Sequence, residues 1–368
     1  MAGKQQIRFC MAADGVRIAY ATAGQGPPLV KTANYLTHLE HDWESPVWRH
    51  WLRELARHHT LVRYDQRGCG LSDWNVDDLS MDGWLRDLET VVDAAGLERF
   101  ALLGLSQGAA VAVAYAARHP DRVTHLVLYG GYAQGRLSRS TGAEEVLEAE
   151  TLINVIRVGW GRDNPAFRQI FTTLLMPEAS EEQKRWLDHL ARISTTPDNA
   201  AAMERAFYGI DVVREARSVS ARSLVAHARD DAAVPFEAGR ALASLVPGAR
   251  FLQLASRNHV LTEDEPAWAR FVAEVHEFLG SVRPETAAAE PRPDFPELTS
   301  REREVLELLA RGLDNDAIAG RLFVTSKTVR NYVSTLYGKL QVPSRGRAIV
   351  LAREAGLGRD AAVDRDAG

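Results

Sequence analysis

The run Phe100-Ala101-Leu102-Leu103-Gly104-Leu105 passes without a break into Ser106-Gln107-Gly108 and then into Ala109–Arg118, a segment made largely of alanine and valine. A short apolar run reads as a strand buried on both faces, and the small-residue segment after it reads as a helix lying close against a sheet. The same alternation recurs on either side. Residues 7–30 read as two paired strands, IRFCMAA and VRIAYATAG, with Asp14-Gly15 as the hairpin turn. The strands PPLVKTA and HTLVRYD follow, interleaved with the helical patterns VWRHWLREL and LRDLETVVDAAG; VTHLVLYGG, RSLVAHA and ARFLQLA come later. Strands alternating with amphipathic helices define an α/β class with a mostly parallel sheet covered on both faces. One long interruption, about 133–219, is helical in pattern and carries Trp160, Phe167, Phe171, Met176, Trp186, Phe207 and Tyr208. Structureless insertions of that length are rare, so a helical cap is expected. Its aromatics either line a pocket or form the cap's own core.

At 368 residues the chain has room for one large domain and one small one. The boundary falls at SVRPETAAAEPRPDFPE, where Pro284, Pro291, Pro293 and Pro296 break any apolar periodicity. The expected division is a domain over 1–280, a linker over 281–296, a second domain over 297–358 and a tail over 359–368. No window reaches the ~18 consecutive apolar residues of a spanning helix, and the first residues lack the apolar core of a secretory signal. With only Cys10 and Cys69, neither a disulfide framework nor a thiolate metal site is expected. A cytoplasmic protein without metal or cofactor is the expectation. The net charge of −5 conceals an asymmetry: between Ala317 and Arg353 there are seven Lys or Arg and no Asp or Glu.

Gly104-Leu105-Ser106-Gln107-Gly108 is a G-x-S-x-G, weak evidence as a bare pattern and stronger between this strand and this helix. A nucleophile elbow needs that placement: the serine sits on a strained turn, and the glycines let neighbouring backbone approach. A serine hydroxyl also needs a base to take its proton and an acid to orient the base. After RSLVAHA comes Arg229-Asp230-Asp231-Ala232-Ala233-Val234-Pro235, and after ARFLQLA comes Ser256-Arg257-Asn258-His259. Taken singly, the aspartates are turn formers and the histidine a solvated loop residue. Taken in order at strand ends, they resemble an α/β hydrolase. Tyr64-Asp65-Gln66-Arg67-Gly68-Cys69-Gly70-Leu71-Ser72-Asp73 resembles that family's D-x-R-G-x-G-x-S turn, and Glu265-Pro266 resembles the start of its last helix. The resemblance selects Asp231 over Asp230, giving Ser106, Asp231 and His259 as the expected triad. It implies oxyanion donors at Gln107 and in the loop holding Ala33 and Asn34, where the side chain of Asn34 could add a donor. Two departures stand out: Lys31-Thr32-Ala33-Asn34 replaces the usual His-Gly run, and Asn258 replaces the usual glycine before the histidine.

Glu297-Leu298-Thr299-Ser300-Arg301-Glu302 has a Thr or Ser suited to an N-cap with acidic residues in the first turn, so a helix starts there. Leu306, Leu309 and Ala310 form its apolar face and Gly312 a stop. Asp314 or Asn315 opens NDAIAGRL, and the turn FVTS leads to SKTVRNYVSTLYGKL, the pattern of a helix-turn-helix. On a helical wheel, Val329, Tyr332, Val333, Leu336 and Leu340 share one side of the last helix. Lys327, Arg330, Asn331, Ser334 and Tyr337 share the other. An ordinary solvated face would leave the acid-free stretch unexplained, whereas phosphate and base contacts account for it. Residues 297–357 resemble the LuxR-type DNA-binding domain along nearly their whole length, which implies base contacts from Arg330, Asn331 and Ser334, with Lys327 and Thr328 nearer phosphates. RGRAIVLAREAGL resembles that family's dimerisation helix. The sequence thus leads to expect a DNA-binding regulator, acting as a homodimer, whose first domain senses or hydrolyses a small ester, lactone or related ligand. The alternatives are a serine hydrolase carrying a DNA-binding appendage, and an inert receptor of the same fold.

Overall fold

The computed structural model describes residues 4–280 and 298–357, apart from 161, 163, 164, 323, 341, 343, 355 and 356. The strand leading into Ser106 lies near the centre of an eight-stranded sheet. In chain order the strands are β1 (Gln6–Met11), β2 (Arg17–Ala23), β3 (Pro28–Lys31), β4 (Thr60–Tyr64), β5 (Phe100–Leu105), β6 (Val123–Tyr129), β7 (Arg222–Ala228) and β8 (Arg250–Leu254). Their spatial order is β1-β2-β4-β3-β5-β6-β7-β8. β1 and β2 form the expected antiparallel hairpin, β2 meets β4 antiparallel, and every pairing from β4 to β8 is parallel. Side chains along β5 alternate between two cores, as a period of two requires. Phe100 and Leu102 join the core that holds Trp84, Leu88 and Tyr115. Ala101, Leu103 and Leu105 join the one that holds Trp51, Phe271 and Phe278.

The helices flanking the sheet are α1 (Leu39–Glu44), α2 (Arg49–His58), α3 (Met81–Ala94), α4 (Gln107–Arg118), α11 (Phe236–Leu245) and α12 (Pro266–Gly280). The alanines of α4 earn their place sterically: Ala109, Ala110, Ala112 and Ala116 are fully buried. The cap comprises α5 (Arg136–Arg139), α6 (Ala143–Gly159), α7 (Pro165–Leu175), α8 (Glu181–Ser194), α9 (Pro197–Tyr208) and α10 (Val213–Ser218). Two backbone bonds close its base, Gly135 N–H to Ile210 O and Val212 N–H to Ala133 O, both 2.8 Å. α1 and α11 were not anticipated from sequence. The first is a single charged turn and a half, and the second is the crossover that joining parallel β7 and β8 demands.

The chain divides into two compact units, Met1–Ser281 and Val282–Gly368. The expected linker and tail lie outside the described residues. In the second unit α13 (Ser300–Ala310), α14 (Asn315–Leu322), α15 (Ser326–Lys339) and α16 (Arg345–Glu354) pack around Val305, Leu306, Leu309, Ile318, Val329, Val333, Leu336 and Ala352. A capping box starts α13: the Thr299 hydroxyl accepts from Glu302 N–H, and the Glu302 carboxylate accepts from Thr299 N–H at 2.7 Å. No helix among the described residues is long and apolar enough to cross a membrane.

Candidate active site and nucleic-acid surface

Ser106 has φ 55° and ψ −129°, a conformation that L side chains rarely adopt. The flanking glycines make that turn possible. A Cβ on Gly104 would lie 2.5 Å from Ala109 Cα, and one on Gly108 would lie 2.5 Å from Ala33 O and from Thr32 Oγ1. The loop after β3 therefore closes onto the N-terminus of α4, where Thr32 Oγ1 donates to Gly108 O at 3.0 Å. Gly130 (φ +59°), at the end of β6, makes room in the same way: its Cβ would come 2.9 Å from His259 Cε1. A Gly-Gly pair after an apolar strand carries no sequence signal of that role.

His259 Nδ1 lies 2.7 Å from Asp231 Oδ2. The other carboxylate oxygen of Asp231 accepts from Ala233 N–H at 2.9 Å and Val234 N–H at 3.0 Å, so the loop orients the acid before the histidine meets it. Burial alone would push this carboxyl up; the neighbouring His259, the Val234 N–H and His227 hold it below the ordinary carboxylate range. Asp230, by contrast, is exposed and pairs with Arg229 at 3.4 Å. A second histidine, the buried His227, reaches within 3.6 Å of the Asp231 carboxylate. His259 Nε2 is buried without a hydrogen-bond partner. Ser106, Gln107, Asp231 and His259 line a single cavity of about 580 Å³. The departure at Asn258 is also occupied: its Oδ1 accepts from the Glu178 N–H at 3.1 Å and its Nδ2 donates to Glu265 at 3.4 Å, tying the histidine loop to the cap.

The loop expected to supply oxyanion donors is braced by Asn34. Its Oδ1 accepts from the buried Lys31 ammonium, and one of the two N–H groups on its Nδ2 donates to Tyr35 O at 3.2 Å. The Ala33 N–H faces the buried hydroxyl of Tyr64, whereas the N–H of Gln107 stands at the first position of α4, which has no carbonyl one turn before it. The D-x-R-G-x-G-x-S turn lies beside this loop as a latch. Asp65 accepts from Leu39 and Leu71 N–H, Ser72 Oγ donates to Asp65 O, and Arg67 pairs with the fully buried Asp87. A Cβ on Gly70 would sit 2.2 Å from the Asp65 carboxylate.

The cap supplies the cavity's far wall. Phe171, Phe207 and Tyr208, noted in the sequence, line it, while Met176 is buried in the core and Trp186 stacks on His41. Tyr35, Tyr132, Arg136, Arg139 and Glu204 also line it, and no sequence pattern singled them out. Burial pushes the Glu204 carboxyl up to about 7, where it meets the Tyr208 hydroxyl. Away from this cavity, Glu54 and His58 on α2 and His276 on α12 bring possible metal-ligand atoms within 4.8 Å of one another, with Arg57 paired to Glu54 at 3.1 Å.

In the second unit, Lys327, Arg330, Asn331 and Ser334 are exposed along α15, while Val329, Val333 and Leu336 are buried. Thr328 turns its hydroxyl to Thr325 at 2.9 Å within the N-cap of α15. Tyr337 departs from its expected side: it is half-buried and packs on the core, as does Tyr332. Two of the seven basic residues serve internally. Lys339 pairs with Glu302 at 2.8 Å, and Arg345 donates to Asn315 and to Leu313 O.

With this geometry established, comparison with known proteins places the chain. Residues 41–266 match the family model of the alpha/beta hydrolase fold, and residues 296–352 match that of the luxR family of bacterial regulatory proteins. The chain belongs to the α/β-hydrolase fold family and carries a C-terminal LuxR-type DNA-binding domain. It is 29% identical over 277 residues to 2-hydroxymuconate semialdehyde hydrolase of Pseudomonas sp. strain CF600, covering 70% of this chain and 84% of that protein. Its C-terminal part is 48% identical over 67 residues to the DNA-binding transcriptional activator DevR/DosR of Mycobacterium tuberculosis, 18% of this chain and 31% of that one. An esterase from Rhodococcus sp. ECU1013 superposes with a TM-score of 0.62 at 26% identity, covering 75% of this chain and 99% of that chain.

Proposed function

We propose that this protein is a DNA-binding transcription regulator whose hydrolase-fold domain binds and cleaves a small ester, lactone or related acyl compound. In this reading Ser106 attacks the acyl carbon, His259 Nε2 takes its proton, and Asp231 holds the imidazole in the required tautomer. The N–H of Gln107, with a second from Asn34 in the loop after β3, receives the oxyanion. The observation that carries it is the 2.7 Å His259–Asp231 contact, with Nε2 left without a partner in the cavity that Ser106 also lines. The experiment is labelling with a fluorophosphonate together with hydrolysis of a short-chain nitrophenyl ester. Wild type reacts in both and Ser106→Ala in neither; an unlabelled wild type sinks the catalytic role.

For the second unit we infer that α15 reads DNA as part of a homodimer, with Arg330, Asn331 and Ser334 toward bases and Lys327 and Thr328 toward phosphates. The four exposed polar residues along one side of α15 support it. Arg330→Ala should weaken binding to the cognate promoter by about 1–3 kcal/mol and relax specificity, and Lys327→Ala should lower the salt slope by about one. Titration of promoter and scrambled duplexes at several salt concentrations checks both.

A further inference from the structure

The cavity that holds Ser106 and His259 has a charged far wall, and its charges are not all matched. Arg136 is neutralised by Glu148. Glu145 accepts from Thr141 N–H at 2.8 Å and acts on Arg139 only from beyond ion-pair distance, and Glu204 meets the Tyr208 hydroxyl. Arg139 is different. The only hydrogen bond of its side chain among the described residues runs from Nη1 to Gln134 O at 3.0 Å, and no carboxylate among them comes within ion-pair distance. The side chain is half-buried, lines the cavity and stands near Tyr132. Desolvation already pushes its guanidinium below its ordinary pKa, so the site holds a cation that a ligand anion would relieve. A guanidinium matches a carboxylate through two parallel N–H donors, and the match strengthens where water is excluded.

Resting on the acyl-cleaving reading above, we propose that the natural ligand carries a carboxylate at the end remote from the bond Ser106 attacks, and that Arg139 receives it. The substrate class is then the half-ester, or the carboxylated lactone, of a dicarboxylic acid, rather than a neutral ester. The guanidinium acts as a specificity determinant and takes no part in bond breaking.

The test compares mono-4-nitrophenyl esters of glutaric, adipic and pimelic acids with the 4-nitrophenyl esters of pentanoic, hexanoic and heptanoic acids, at pH 6.5 on the full chain. At one chain length the half-ester should exceed its neutral partner at least tenfold in kcat/KM, mainly through KM. Arg139→Gln should collapse that ratio toward one, and Arg139→Lys should keep part of it. A ratio at or below one in wild type, or one that Arg139→Gln leaves intact, overturns the proposal. A parallel measurement needs no turnover: on Ser106→Ala, monomethyl adipate should raise Tm where methyl hexanoate at equal concentration does not, and Arg139→Gln should remove the difference. If wild type cleaves no ester yet shows this binding preference, the hydrolase reading falls and the carboxylate site stands. Cleavage without preference leaves the hydrolase reading and removes this one.

Discussion

Ser106 holds a positive φ that glycine adopts at no steric cost and alanine does not. Ser106→Gly is therefore expected to be more stable than Ser106→Ala by about 1 kcal/mol, although both lack the hydroxyl; thermal denaturation of the pair decides it. Glu204 makes the second prediction at this scale. Desolvation raises its carboxyl from the ordinary 4.5 to about 7, so between those values the folded state binds more protons than the unfolded chain. Stability then falls as pH rises through that window and stays lower above it. Glu204→Gln removes the penalty, which is capped at about 3 kcal/mol. Melting curves should show the variant gaining Tm over wild type at pH 8, with no such gain at pH 4. A constant difference at both pH values would show that Glu204 is not desolvated in the folded state.

The elements position these residues by close approach and by buried charge. Gly108→Ala forces a Cβ into the backbone of the loop after β3, so it should reduce esterase turnover by driving that loop from α4, with a smaller loss of stability. Circular dichroism melts beside kinetics separate the two. Arg67 and Asp87 are both fully buried, and Arg67 also reaches Asp14 at 2.7 Å. Removing the acid in Asp87→Ala leaves the buried guanidinium with only the partly exposed Asp14 as its ion-pair partner and is expected to cost about 3 kcal/mol, measured by denaturant unfolding. The motif around Arg67 was visible in sequence, but its partners were not, since Asp14 and Asp87 belong to a hairpin turn and a helix distant along the chain. The strands were legible because each alternates or runs apolar over the right length. α11 was not, because FEAGRALASL is short and follows a Val-Pro turn, and its existence follows from the parallel order of β7 and β8.

The whole molecule joins a hydrolase-fold unit to a LuxR-type unit, and the proposed ligand-responsive regulation requires an energetic link between the two. If the ligand changes promoter affinity by some factor, promoter DNA must change ligand affinity by the same factor. Paired titrations on Ser106→Ala, promoter with and without monomethyl adipate and the converse, should return equal factors different from one; factors of one would mean that the units share a chain and nothing more. The sequence by itself determined the two-unit composition, the strand and helix alternation, the Ser-Asp-His order and most of the exposed polar face of α15, because each is written in local periodicity or in residues adjacent along the chain. Only tertiary structure brought Asp231 against His259, tied Asn34 to Lys31, set Lys339 and Arg345 to internal work, and left Arg139 without an ion pair in the cavity that Ser106 lines. Those outcomes depend on which distant side chains share a desolvated space, and neither periodicity nor spacing encodes that.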